Sequence, residues 1–147
     1  MKYTVGIILK KQFESLYLVV HPTGVSQTVW SIPVGETTTN EKIESFQETA
    51  LRELYEETNI LIPSLYRDKL SYLGNYLYPN GQKILICFFF ELPYMTNFDS
   101  DLKCNSMVKM ATEFPEVDVV EWVSFNECLS RIHVTQKQAL LDSKLKI

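Results

Sequence analysis

The sequence predicts a mixed α+β sandwich. Two observations carry that reading. Short β-rich runs lie before and after one amphipathic central helix, and an Asn80-Gly81 pair joins two of the later runs. Strands flanking a helix, with hairpins among them, build a layered α+β core. No repeat, low-complexity segment or linker interrupts residues 1–147, which read as a single domain long enough to bury a sizeable core.

Residues 3–9 and 16–20 are the first two β-rich runs, with a turn over residues 10–15. His21-Pro22-Thr23-Gly24 breaks the second run, and a polar loop leads to Trp30-Ser31-Ile32-Pro33. Residues 34–44 read as a loop rich in Thr and Glu. Ser45-Phe46-Gln47-Glu48 fits a capping box, with the serine at the helix start and the acid three residues on. Phe46, Ala50 and Leu54 then follow at steps of four, with Leu51 widening the buried stripe. Asn59 is expected in the left-handed turn that ends the helix. Residues 70–78 and 83–92 flank Asn80-Gly81 as a hairpin. The polar stretch 93–115 is long for a compact domain and suggests a lid or substrate loop. Residues 117–123 form another strand, Ser124-Phe125-Asn126-Glu127 a second capping box, and residues 135–145 a C-terminal helix.

Hydrophobic residues make up 46% and charged residues 22%, a globular and not a disordered composition. The net charge of −4 argues against a broad nucleic-acid surface, which would need a basic stripe. A small anionic substrate stays open, because a bound metal supplies local positive charge. Cys87, Cys104 and Cys128 match no metal or redox spacing. The opening residues carry too short an apolar stretch for a signal peptide, and the apolar run 84–90 is far below membrane-spanning length. A soluble, cytoplasmic protein without a membrane partner is expected.

The informative stretch is Arg52-Glu53-Leu54-Tyr55-Glu56-Glu57. On a helix, Glu53, Glu56 and Glu57 stand at i, i+3 and i+4, on one edge of one face. Each close carboxylate pair costs roughly 3 kcal/mol at about 6 Å and an effective dielectric near 20. A solvated acidic face is the ordinary explanation of such a run. A divalent cation would instead reverse the sign of that term, and hard oxygen ligands select magnesium, manganese or calcium.

These residues resemble the signature of the Nudix hydrolases, G-x5-E-x7-R-E-U-x-E-E-x-G-U, with U aliphatic. Glu44, Arg52, Glu53, Leu54, Glu56, Glu57 and Ile60 match it, and Asn59 stands for its second glycine. Trp30-Ser31-Ile32-Pro33 and residues 116–122 also look like the family's lead-in and last strand. The first glycine departs: Thr38 holds its position, and the nearby Gly35 lies 44 − 35 = 9 residues before Glu44 instead of 6. A rival register with Glu41 as the first acid leaves ten residues before Arg52. Glu44 is preferred, on the Ser45 cap and the helix phase.

The resemblance implies a Nudix-type α/β/α sandwich with a mixed central sheet and a MutT-like, Mg²⁺- or Mn²⁺-dependent pyrophosphohydrolase. It gives metal-ligand roles to Glu53, Glu56 and Glu57, with Glu116 and the Gly35 carbonyl as further contacts. Arg52 orients Glu44 and the ligand carboxylates. Glu53, Glu57 and Glu116 all qualify as general base, and Glu113 is an alternative to Glu116. Tyr76 and Tyr78, with Tyr17 and residues 88–90, are candidates for stacking on a nucleobase, although strand core is the commoner use of such side chains. His21 and His133 are read as structural or solvent-facing. The favoured substrate is a nucleoside diphosphate linked to another moiety, a dinucleoside polyphosphate or a nucleotide sugar. Alternatives are a modified nucleoside triphosphate, an RNA 5′ end, or a non-catalytic nucleotide-binding domain; a homodimer is compatible with any of these.

Overall fold

The computed structural model describes residues 2–37, 43–93 and 117–147, leaving aside the side chains of Ile43 and Glu44. Strand β1 (Lys2–Lys11) is the spine of the sheet. It pairs in parallel with β5 (Lys83–Leu92) from Lys2↔Lys83 to Lys11↔Leu92. Its other edge is shared by two antiparallel partners. Residues 3–6 pair with β3 (Val34–Thr37), and Lys10 pairs with Tyr17 of β2 (Leu16–Pro22). Antiparallel β4 (Ser71–Leu77) and β6 (Val117–Ser124) complete a six-stranded mixed sheet in the order β4-β5-β1-β2-β6.

Helices cover both faces. Val5, Ile7, Leu9, Ile86, Phe88 and Phe90 pack with Phe46, Ala50 and Leu54 of α1 (Ile43–Thr58). Ile8, Leu85, Cys87 and Phe89 pack with Cys128 of α2 (Phe125–Arg131) and with Ala139 and Leu140 of α3 (Val134–Ser143). Central strands buried on both faces read as continuous apolar runs without alternation, which is what β1 and β5 do. The phenylalanine run is therefore core, with Phe88 and Phe90 on one face and Phe89 on the other. Cys87 and Cys128 are buried free thiols whose pKa values are pushed up by burial.

The fold corrects several local expectations. Residues 34–37 are strand and not loop, because they pair with β1. Helix α1 opens at Ile43, so Ser45 sits inside its first turn and is not the N-cap; its carbonyl accepts the Thr49 hydroxyl at 3.1 Å. The second strand runs on through His21 and Pro22, with a bulge between them. Asn59 does take the left-handed conformation, at φ 66°, and its N–H closes the helix on the Tyr55 carbonyl at 2.8 Å. The Asn80-Gly81 hairpin forms, with Gly81 at φ 71°. At Ser124 half of the box forms: its hydroxyl accepts the Glu127 N–H, while the Glu127 carboxylate turns to Arg131. A 3₁₀ segment, Ser64–Lys69, was not foreseen. The proposed loop 93–115 lies outside the described residues except for Pro93. Among the described residues, no helix is long and apolar enough to cross a membrane.

Candidate active site

Burying Phe46, Ala50 and Leu54 fixes the rotation of α1, and with it the direction of each acid. The Glu57 residue is only 4% exposed, the Glu53 side chain 12%, and the Glu56 side chain 39%. Glu53 lies directly over β3. A Cβ added to Gly35 would fall 2.2 Å from Glu53 Cγ and 2.6 Å from its Oε1. Only a residue without a side chain lets the carboxylate take this place.

Arg52 supplies positive charge between two of the acids. Its Nη1 lies 3.3 Å from Oε1 of Glu53 and 3.3 Å from Oε1 of Glu56. Part of the carboxylate repulsion is thus offset inside the helix, so a dication is not the sole possible source of compensation. Glu48, one turn before Arg52 on the same helix, is held instead by Arg67 of the 3₁₀ segment.

Glu53 and Gly35 line an open cleft of about 520 Å³. Thr4, Trp30, Val34, Glu36, Tyr78, Lys83, His133 and Gln136 are among its other lining residues. Lys83 Nζ bonds Glu36 at 3.0 Å and lies 4.9 Å above the Tyr78 ring. The His133 ring packs 5.3 Å from Tyr78. Trp30 is fixed by its N–H bond to the Gln27 carbonyl at 2.9 Å and by the Arg131 guanidinium, 5.0 Å from its ring. Burial raises the Tyr78 pKa, opposed by nearby Lys83, Thr4 and Gln136. The phenol therefore stays protonated.

Of the residues chosen from sequence, Glu53, Gly35 and Tyr78 share this cleft, and Arg52 and Glu56 adjoin Glu53. Tyr76 lies elsewhere: its hydroxyl donates to Asp142 at 2.7 Å, tying β4 to α3. Tyr17 is buried against Phe125. Glu113, Glu116 and the Glu44 side chain lie outside the described residues. Sequence reasoning missed Thr4, Trp30, Lys83 and Gln136 as cleft residues. They come from four separate segments, so only the folded topology assembles them. His133, read as structural or solvent-facing, is exposed and also reaches the cleft.

Among the described residues, no three His, Cys, Asp or Glu side chains are grouped to hold a metal ion as they stand. The donor chemistry nevertheless fits a hard dication. The helix offers carboxylate oxygens only, and Gly35 leaves the space beside Glu53 that a Cβ would fill.

A layered mixed sheet with acids gathered on α1 beside a cleft is compatible with one class of enzyme, the hydrolases of phosphorus-containing anhydrides. The NUDIX domain model matches residues 2–142, and the chain belongs to that family and to that class of enzyme. No curated protein matches it. Solved structures share the fold at low identity. The NUDIX domain of Shewanella oneidensis NrtR, complexed with ADP ribose, is 18% identical, with 98% of this chain and 86% of that one covered, and a TM-score of 0.65. A C. elegans Ap4A hydrolase binary complex is 14% identical, covering 99% and 96%, with a TM-score of 0.66. A Francisella tularensis bifunctional NMN adenylyltransferase/ADP ribose pyrophosphatase, complexed with AMP and a Mn ion, is 17% identical, covering 98% and 41%, with a TM-score of 0.63.

Proposed function

We propose that this enzyme hydrolyses the pyrophosphate bond of a nucleoside diphosphate linked to another moiety, in a reaction dependent on Mg²⁺ or Mn²⁺. The favoured substrates are a nucleotide sugar such as ADP-ribose and a dinucleoside polyphosphate. The carrying observation is the contact between Gly35 and Glu53, which sets a mostly buried carboxylate in the lining of an open cleft of about 520 Å³. Support for the substrate class comes from the relatives above, one holding ADP ribose, one named for Ap4A and one holding AMP with a Mn ion.

In this reading Glu53, Glu56 and Glu57 hold the dication, with Glu116 and the Gly35 carbonyl as further contacts. A bound dication supplies charge neutralisation of the diphosphate and a lower pKa for water. Arg52 orients the Glu53 and Glu56 carboxylates, and through them the site. Glu44 completes the set at the start of α1. Glu53 or Glu57 takes the proton from the attacking water, Glu57 being deeper and Glu53 nearer the cleft. Tyr78 contributes to the wall against which the nucleoside rests.

The deciding experiment incubates the protein with Mg²⁺ and ADP-ribose, diadenosine tetraphosphate, a modified nucleoside triphosphate or 5′-triphosphorylated RNA, and separates the products by chromatography. Cleavage of either of the first two, abolished in Glu57→Gln, supports the proposal. Turnover indifferent to both Glu53→Gln and Glu57→Gln would overturn the site. Preference for the triphosphates would overturn the substrate class.

A further inference from the structure

Thr4 is 1% exposed, yet its hydroxyl makes no hydrogen bond among the described residues. It nevertheless lines the same cleft as Glu53. The residues around it do not satisfy it. The Gln136 amide is committed at both ends: Oε1 accepts the Ile32 N–H at 3.1 Å, and Nε2 donates to the Ser31 hydroxyl at 3.0 Å. The Tyr78 phenol is near enough for the Thr4 hydroxyl to lower its pKa, but the two form no hydrogen bond of normal geometry.

A buried hydroxyl without a partner weakens a fold, and valine would fill this strand position at no such cost. Threonine is therefore not there for stability. Its surroundings also define what it would meet. Val34, Tyr78 and Trp30 share the cleft lining with Thr4, two of them offering aromatic faces, and Lys83 is already engaged by Glu36. A phosphate would need unengaged cations there. A planar heteroaromatic ring with a polar edge suits the place better.

We infer that Thr4 is a specificity-determining residue whose hydroxyl hydrogen-bonds the polar edge of the substrate's nucleobase. This rests on the nucleotide reading above. Before the ligand enters, the oxygen sits desolvated and unbonded, so the bond to the base displaces little water from it. A base lacking a polar atom at that edge leaves the hydroxyl unsatisfied and is rejected.

The test is calorimetric titration of the whole protein with AMP and with ribose 5-phosphate in MgCl2, using wild type, Thr4→Val and Thr4→Ser, together with thermal melts. The expected result is a Tm for Thr4→Val equal to or above wild type, with AMP binding weakened roughly 2- to 10-fold, the value of one hydrogen bond. Ribose 5-phosphate binding is unchanged, and Thr4→Ser keeps the wild-type affinity for AMP. A lower Tm in Thr4→Val would show that the hydroxyl is bonded within the protein and would overturn the inference. Unaltered AMP binding in Thr4→Val, or equal weakening for both ligands, overturns it as well. Wild type that binds neither ligand removes the nucleotide reading itself; wild type that binds AMP as Thr4→Val does removes only the role of Thr4.

Discussion

The Gly35 backbone and the Glu53 side chain occupy space that a single added methyl group would contest, with Cγ of Glu53 only 2.2 Å from where a Cβ on residue 35 would lie. Gly35→Ala therefore forces Glu53 into another rotamer. The fold cost is modest, because the displaced group is a side chain at the edge of a cleft: about 1–3 kcal/mol. On the proposed mechanism the catalytic cost is larger, since a 1 Å misplacement of a working group can lower activity on the order of 100-fold. Paired kinetics and melting of Gly35→Ala check this. Wild-type kcat/KM in that variant would show that the contact does not matter to the reaction.

Arg52 separates orientation from stability. Its side chain is 54% exposed, and half-exposed ion pairs are each worth about 0–1 kcal/mol. Arg52→Ala is thus expected to melt close to wild type. On the proposed mechanism its kcat/KM should fall roughly 10- to 100-fold, the usual effect of losing a residue that orients metal ligands. Arg52→Lys is expected to rescue only in part, because the compact ammonium on its flexible stem reaches less far than the guanidinium Nη1 that meets both Glu53 and Glu56. Steady-state rates across a MgCl2 series read this out, and full rescue by lysine would contradict the bridging role.

How much of this was legible in the chain follows from the range of each interaction. The helix phase was readable because Phe46, Ala50 and Leu54 repeat at short spacing, and the hairpin because Gly81 needs a left-handed turn. Residues 34–37 were misread as loop, since their strand character comes from pairing with β1, some thirty positions away. The Ser45 cap failed for a related reason: the motif is local, but α1 already begins at Ile43. Within the site, the acids announced themselves by crowding, whereas Thr4 and Gln136 look like ordinary strand and helix residues. Their meaning arises only where β1, β3 and α3 meet.

Asn59 tests the turn that ends α1. At φ 66° a side chain with a Cβ costs about 1–2 kcal/mol unless it can bond locally, as Asn does. Asn59→Ala is expected to lower Tm by a few degrees, roughly 2–4 °C per kcal/mol at this size. Asn59→Gly, the residue of the family signature, should stay nearer wild type because glycine adopts the left-handed region without strain. Differential scanning calorimetry of the two variants decides it; alanine melting above glycine would contradict the argument.

His21 gives the protein a pH-dependent tie close to the cleft. Its Nδ1 lies 2.6 Å from Asp118 and its Nε2 lies 2.9 Å from the Ser26 carbonyl. A carboxylate and a carbonyl both accept, so both ring nitrogens donate and the imidazolium is the form that fits. The Asp118 bond chiefly, then the Ser26 bond, raises the His21 pKa above the ordinary 6.5, against an opposing effect of burial. The folded chain therefore holds this proton more tightly than the unfolded one. The resulting stabilisation is complete below pH 6.5 and is lost as pH rises through the raised folded-state value. The ring also packs 5.4 Å from Trp30, so the tie fixes the segment that forms one wall of the cleft. The difference in Tm between wild type and His21→Gln should be greatest near pH 5.5 to 6 and shrink steadily toward pH 9. A gap that is constant, or that widens in alkali, would mean the imidazole is held neutral and the two donor bonds are misassigned.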